Sequence, residues 1–253
     1  MVNKNLVIVS GATGDLGKAY LDYYKSQLNS SCYAISRRNE NSPFENVVYL
    51  ISDLENKETT KNQINLINFQ EVSKITYIHP VGRFKFEQNG VPEIDKNNNS
   101  IDDEVYSSNV NTFHNVVKPI ILRKNEFTPL TLVAFGSLSD FYDVPWWGSY
   151  SKSKLILRKD MRALSRLENK VNSIFINLSS VKTSNEFKTR PYANSKYWVS
   201  PDEIVNRTKK IIKNSVEQYS EHDIYNDSPD YHTGYYGEHD LLKEKWQKEM
   251  SGN

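Results

Sequence analysis

With 253 residues, 38% of them hydrophobic and 25% charged, the chain can bury a core of its own and is neither fibrous nor disordered. Lysine and arginine number 32 against 31 aspartates and glutamates, a formal charge of +1, so no basic excess points to nucleic acid or to an anionic membrane. The single cysteine, Cys32, excludes an internal disulfide and a multi-thiolate zinc site and suits a reducing compartment, the cytoplasm by default.

The apolar run from Leu6 to Val9 is too short for a signal-peptide core or a membrane span, so secretion is not expected. Asn5 to Ser10 is rich in β-branched residues, the mark of a parallel strand buried on both faces, and it stops at Gly11. A helical pattern follows from Asp15 to about Leu28, then strands at Ser31 to Ser36 and Val47 to Ile51, a helix near Lys57 to Phe69, and a strand at Lys74 to His79. Beyond a polar, Asn-rich insertion from Gln88 to Ser100 come a long helix through Asn109, a strand at Leu130 to Phe135, a helix from Ser149 to Glu168 and a strand at Val171 to Leu178. The alternation predicts an α/β fold: one doubly wound parallel sheet, Rossmann-like, with helices on both faces and right-handed crossovers. The catalytic and nucleotide-binding domain is expected to span residues 1–218. The stretch 219–253, with eight acidic residues against Lys243, Lys245 and Lys248, reads as an acidic extension without a recognisable strand.

Directly after the first strand, Ser10-Gly-Ala-Thr-Gly-Asp-Leu-Gly17 places glycines at 11, 14 and 17 at the opening of a helix. Such a turn lets a pyrophosphate approach backbone N–H groups at the positive end of the helix, which makes Gly11, Thr13, Gly14, Asp15, Leu16 and Gly17 candidate cofactor contacts. The second strand ends Ala34-Ile-Ser-Arg-Arg38, where a site preferring NAD would carry an acid. Arg37 and Arg38 can instead bind a 2′-phosphate bidentately, which favours NADP; otherwise they are solvated surface charges. Asp53, followed by Leu54, either accepts from an adenine amino group or caps the next helix.

Tyr150-Ser-Lys-Ser-Lys154 opens a patterned helix, and at i and i+4 the tyrosine and lysine share a face, continued by Leu157, Met161 and Leu164. An ammonium there is expected to lower the tyrosine pKa and make the phenol a usable proton donor and acceptor. Ser137 follows the strand that ends at Gly136, beyond the carboxyl edge of the sheet, where it can donate to a substrate carbonyl; standing alone it would be a turn or cap serine. Trp146 and Trp147 either line a substrate pocket or cover core. Glu221-His-Asp223 and Glu238-His-Asp240 supply metal-ligand types without fixed geometry, and no metal site is expected.

Taken together and in order, these motifs resemble the short-chain dehydrogenase/reductase family over about residues 5–213. The resemblance matches the nucleotide turn to Gly11–Gly17, the family's serine to Ser137, its tyrosine and lysine to Tyr150 and Lys154, and its asparagine to Asn109. It implies that Lys154 binds the cofactor ribose and tunes Tyr150, and that Asn109 supports a proton-relay water. Where the family usually carries Asn-Asn-Ala-Gly, this chain has His79-Pro-Val-Gly82 and keeps only Gly82; after the sixth strand Val181 and Thr183 stand near the expected nicotinamide. The glycine spacing resembles the extended and atypical branches more than the commonest one.

The expected activity is an NADP-dependent interconversion of a carbonyl and an alcohol by a cytoplasmic homo-oligomer, such as a dimer, without nucleic-acid or membrane partners. The alternative is a catalytically idle dinucleotide sensor. Arg83 and Lys85, with Lys188 and Arg190 in the segment after Thr183, suggest an anionic substrate or else are solvated loop charges.

Overall fold

The structure is a computed structural model and describes residues 4–27, 29–38, 47–87, 101–229 and 233–252. The Asn-rich stretch from Gln88 to Ser100 lies outside the described residues. Strands β1 (Lys4–Ser10), β2 (Ser30–Ser36), β3 (Val47–Ile51), β4 (Val72–His79), β5 (Leu130–Ser137), β6 (Val171–Leu178) and β7 (Tyr219–Ile224) form one sheet in the order β3-β2-β1-β4-β5-β6-β7. Every neighbouring pair is parallel.

The apolar runs follow from burial on both faces: Val7, Ile8 and Val9 are all at most 2% exposed. Leu6 and Ile8 face a layer holding Phe113 and Val116 of α4 (Thr112–Arg123) and Leu157 and Met161 of α5 (Gly148–Leu167). Val7 and Val9 face Tyr20 and Leu21 of α1 (Asp15–Tyr24) and Ile204 and Val205 of α7 (Pro201–Asn214). Burial of each such aliphatic side chain contributes roughly 1.5–3 kcal/mol. A shorter helix, α2 (Lys57–Ile64), adds Ile64 to the first layer. The long helix expected through Asn109 is present, built from α3 (Asp103–Tyr106), a π-helical turn at Ser107–Asn111, and α4. The first helix ends at Tyr24, short of the expected Leu28, which is outside the described residues.

One expectation is overturned. The acidic stretch from Tyr219 is not wholly an extension, because its first six residues are β7, the parallel edge strand beside β6. Only Ile224 of β7 is buried; the rest is polar because it lies at an edge and pairs with α5, Glu221 Oε1 accepting from Arg162 at 2.7 Å. That composition hides the strand. The chain then returns over the carboxyl ends of the strands through α8 (Thr233–Gly237) and α9 (His239–Ser251), where Leu242 packs with Val144 and Trp147 in a third apolar cluster. The remaining short helix, α6 (Ser184–Thr189), follows β6 on the same side.

Candidate active site

Strand order reverses between β1 and β4, and the crevice at their carboxyl ends is where an open α/β sheet takes its ligands. The glycine turn stands on one side. Gly11 has φ +58°, and a Cβ there would approach Val81 Cγ2 to 2.9 Å. A Cβ on Gly17 would stand 2.2 Å from the Gly11 carbonyl oxygen, so the helix packs onto the turn only with glycine there. Gly14 caps α1 and donates to the Gly11 carbonyl at 3.0 Å. This is a cradle that side chains would fill, and it fits the pyrophosphate of a dinucleotide at a helix N-terminus. Thr13 is half-buried in the turn, whereas the Asp15 carboxylate accepts the backbone N–H of Ser184 and so ties α6 to the turn.

Arg37 and Arg38 are exposed just beyond β2, with no acid beside them in sequence. Asp53 is exposed beyond β3 and accepts from Glu55 N at 3.2 Å. It does not cap α2: that cap is Asn56, whose Oδ1 accepts from Thr59 N at 3.0 Å. Leu54 turns its side chain into the core, and its carbonyl accepts from Asn115 Nδ2 at 2.9 Å. Among the described residues, Arg37, Arg38 and Asp53 are thus exposed groups at this end of the crevice.

The other half faces a cavity of about 450 Å³ whose walls include Leu16, Gly82, Ser137, Tyr150, Lys154, Val181 and Thr183. Thr183 also caps α6, accepting from Glu186 N at 3.2 Å. Ser137 ends β5 and is both a cap and a cavity residue: its Oγ accepts from Ser139 N at 3.2 Å and lies 2.8 Å from Ser139 Oγ. Tyr150 sits in the first turn of α5 and lines the same cavity as Ser137. That helix has no capping side chain of its own. Buried Glu87 supplies one, its carboxylate accepting from Gly148 N at 2.9 Å and Ser149 N at 3.2 Å, and so fixes the mouth of the helix.

One turn on, buried Lys154 holds its Nζ 5.6 Å from the centre of the Tyr150 ring. A Cβ on Gly82 would stand 2.9 Å from that Nζ and 3.0 Å from Asn109 Oδ1, so glycine lets the chain after β4 pass over both. Asn109 lies in the π-helical turn; its Oδ1 accepts from Arg83 N at 2.6 Å and its Nδ2 donates to the Arg83 carbonyl at 3.0 Å and Ser153 Oγ at 2.8 Å. Its side chain thus holds the loop after β4 beside Lys154. Beneath the turn, buried His79 lies 2.8 Å from Ser10 Oγ and 2.7 Å from Tyr77 Oη, and burial keeps its pKa well below the ordinary value. It is a neutral structural residue.

The electrostatics depart from expectation. Lys154 does not draw the Tyr150 phenol down; burial, then the charges of Asp140 and Glu186, push it above the ordinary tyrosine value. The ammonium stands over the ring and is itself desolvated, with its pKa pushed down by burial and partly restored by Asp140. Burial pushes the Asp140 carboxyl up. Tyr150 is therefore protonated near neutral pH.

Asp140, Ser139 and Glu87 were not picked out by sequence reasoning. The spacing Ser137-x-x-Asp140 is a capping-box signal that could have found Asp140, and its backbone half is present, Ser137 N donating to Asp140 Oδ2 at 3.1 Å. Trp147 lines the cavity, while Trp146 packs toward α9, its Nε1 donating to the His239 carbonyl at 3.2 Å. The candidate anion-binding cations are not open to a ligand in the way expected. Arg83 pairs with Glu104, Lys85 is 2.5 Å from Asp102, and Arg190, 3% exposed, is 2.7 Å from Glu186 and 2.6 Å from Glu249. Lys188 is exposed and lies off the cavity. Among the described residues no three metal-ligating side chains cluster, and no helix is long and apolar enough to cross a membrane.

No protein-family model matches the sequence, and no curated protein matches it. Solved structures do. An alcohol dehydrogenase from the archaeon Thermococcus sibiricus, in complex with 5-hydroxy-NADP, superposes with a TM-score of 0.71 at 17% identity over 90% of this chain and 100% of that one. The fold is that of the short-chain dehydrogenases/reductases. A short-chain dehydrogenase family protein from Francisella tularensis gives 0.69 at 16% identity over 92% and 98% of the two chains. A 4-hydroxyisoleucine dehydrogenase complexed with NADH gives 0.68 at 16% over 87% and 96%. Within the short-chain dehydrogenase/reductase fold, this chain brings Ser137, Tyr150 and Lys154 to one cavity and holds the glycine turn across the crevice from Gly82.

Proposed function

We infer that the protein is an NADP-dependent oxidoreductase that interconverts a carbonyl and an alcohol. The observation that carries this is the meeting of Ser137, Tyr150 and Lys154, from two separate elements, at a cavity beside the dinucleotide crevice. The fold's neighbours in complex with 5-hydroxy-NADP and NADH support a nicotinamide dinucleotide. When bound, that cofactor supplies or accepts the hydride.

In the reductive direction Tyr150, protonated and half-buried, donates its phenolic proton to the carbonyl oxygen. Ser137 holds that oxygen beside the phenol through its hydroxyl, itself oriented by Ser139. Lys154, with its ammonium over the Tyr150 ring, would bind the cofactor ribose. Asn109 and Gly82 keep the loop after β4 close to that ammonium. Arg37 and Arg38, exposed at the end of β2, suit a 2′-phosphate, which is the argument for NADP over NAD. The single thiol, Cys32, is free, buried and pushed up to about 12 by burial, which suits a reducing compartment such as the cytoplasm.

The test is oxidation of NADPH and of NADH, followed at 340 nm, with a panel of ketones and aldehydes. Carbonyl-dependent oxidation that prefers NADPH is expected. Binding of a dinucleotide with no turnover of any carbonyl or alcohol would turn the assignment toward an idle sensor.

A further inference from the structure

The walls of the cavity bear on which carbonyl compound enters it. On the Tyr150 side they are a run of rings in contact. The Phe84 ring centre lies 5.4 Å from that of Tyr150, 5.1 Å from Trp246 and 5.9 Å from Trp147, and the two tryptophans are 4.7 Å apart. All four rings line the cavity. Phe84, Tyr150 and Trp246 remain only half-buried despite these contacts, so the wall keeps ring surface uncovered.

Trp246 belongs to the stretch read from sequence as an acidic extension, yet α9 is held firmly. Leu242 is 2% exposed against Val144 and Trp147. Glu249 accepts from Arg190 Nε at 2.7 Å, and its carbonyl accepts from Tyr192 N at 3.0 Å. The Arg190 guanidinium lies 4.1 Å from the centre of the Trp246 ring and 5.0 Å from that of Trp198. Arg190 thus pins α9 to the segment that follows β6.

The carboxylates on these walls are already paired with cations of the wall. Arg190 faces Glu186 and Glu249, and Lys245 lies 3.8 Å from Glu249. Lys154 is engaged over Tyr150. An anionic substrate would have to compete with two half-buried carboxylates for Arg190, whereas a flat uncharged ring finds ring surface already in place.

We propose that the substrate is an uncharged compound whose carbonyl sits on or next to an aromatic ring, that the ring lies against the wall of Phe84, Trp147 and Trp246, and that Trp246 is a specificity-determining residue. The proposal rests on the oxidoreductase reading and adds the substrate class to it.

The experiment measures kcat/KM for acetophenone, 2-acetylnaphthalene and benzaldehyde, for the saturated analogue cyclohexyl methyl ketone, and for the charged analogue 4-acetylbenzoate, each with NADPH and NADH. Acetophenone is expected to exceed both analogues by about tenfold or more. Trp246→Leu should bring the aromatic-to-saturated ratio close to one while the KM for the dinucleotide stays put. If that variant does not fold, the ratios of the parent protein decide alone. Turnover without an aromatic preference, or with a preference for the carboxylate, overturns the proposal and leaves the oxidoreductase reading standing. No turnover of any compound with either dinucleotide contradicts that reading and the proposal with it.

Discussion

Asp140 accepts the backbone N–H of Ser137 at 3.1 Å through one carboxylate oxygen, while its other oxygen is buried without a hydrogen-bond partner. Arg158 Nη2, 3.4 Å from the bonded oxygen, is the nearest cation paired with it, and Lys154 contributes from further away. A carboxylate in that position both sets the backbone of Ser137 and adds negative charge behind Tyr150 and Lys154.

Replacing Asp140 with Asn keeps the shape and removes the charge. Asp140 raises the pKa of Tyr150 and that of Lys154, so its loss lowers both, and the alkaline limb of the kcat profile should move to lower pH. The stability effect has the opposite dependence on pH from that of an ordinary paired carboxylate. The folded-state pKa of Asp140 is raised, so the folded protein binds more protons than the unfolded chain above the usual carboxylate range, and stability from this group declines as pH rises toward neutrality. The melting temperature of Asp140→Asn relative to the parent should therefore rise between pH 5 and pH 7. A difference that is flat or falls over that interval would remove Asp140 from this role.

Gly82→Ala tests the close passage over Lys154. The added methyl would meet Lys154 Nζ at 2.9 Å and Asn109 Oδ1 at 3.0 Å, and the lysine end is the part able to move. Catalysis should fall by about tenfold or more while the melting temperature drops by only a few degrees, roughly 1–2 kcal/mol of stability. Thermal melts and steady-state rates on one preparation separate the two effects; equal activity in parent and variant would show that the position of the ammonium is not critical.

The paired variant Arg37→Ala with Arg38→Ala addresses cofactor choice. Loss of charge-assisted bonds to a 2′-phosphate should weaken NADPH binding by about 10- to 100-fold, at roughly 1.5–3 kcal/mol for such contacts, and leave NADH almost unchanged. Titration by nucleotide fluorescence reads both. If the parent binds NADH as tightly as NADPH, the arginines do not select the cofactor.

The sheet was legible because its interior strands are buried on both faces and read as short apolar runs, as β1 does from Leu6 to Val9. The glycine turn, Ser137, Tyr150 and Lys154 were legible because each sits at a fixed offset from a strand or helix end. What escaped depends on contacts distant in sequence. Glu87 caps α5 from 61 residues away, and nothing in its own neighbourhood marks it as a cap. β7 is an edge strand whose polar face pairs with α5, so it lacks the alternation that announces a strand. Arg190 looked like a cation at a cleft mouth because its partners Glu186 and Glu249 come from α6 and α9, and only the fold brings the second within reach.

The central claim is that Tyr150 is the proton donor, and Tyr150→Phe tests it most directly. The ring stays, so its contact with Phe84 and the packing of α5 should persist and NADPH affinity should change little. On any carbonyl substrate the parent reduces, kcat should fall by about 10²–10⁴-fold, the range expected for loss of a positioned general acid. A Tyr150→Phe protein that binds NADPH normally and keeps kcat near that of the parent would contradict the account.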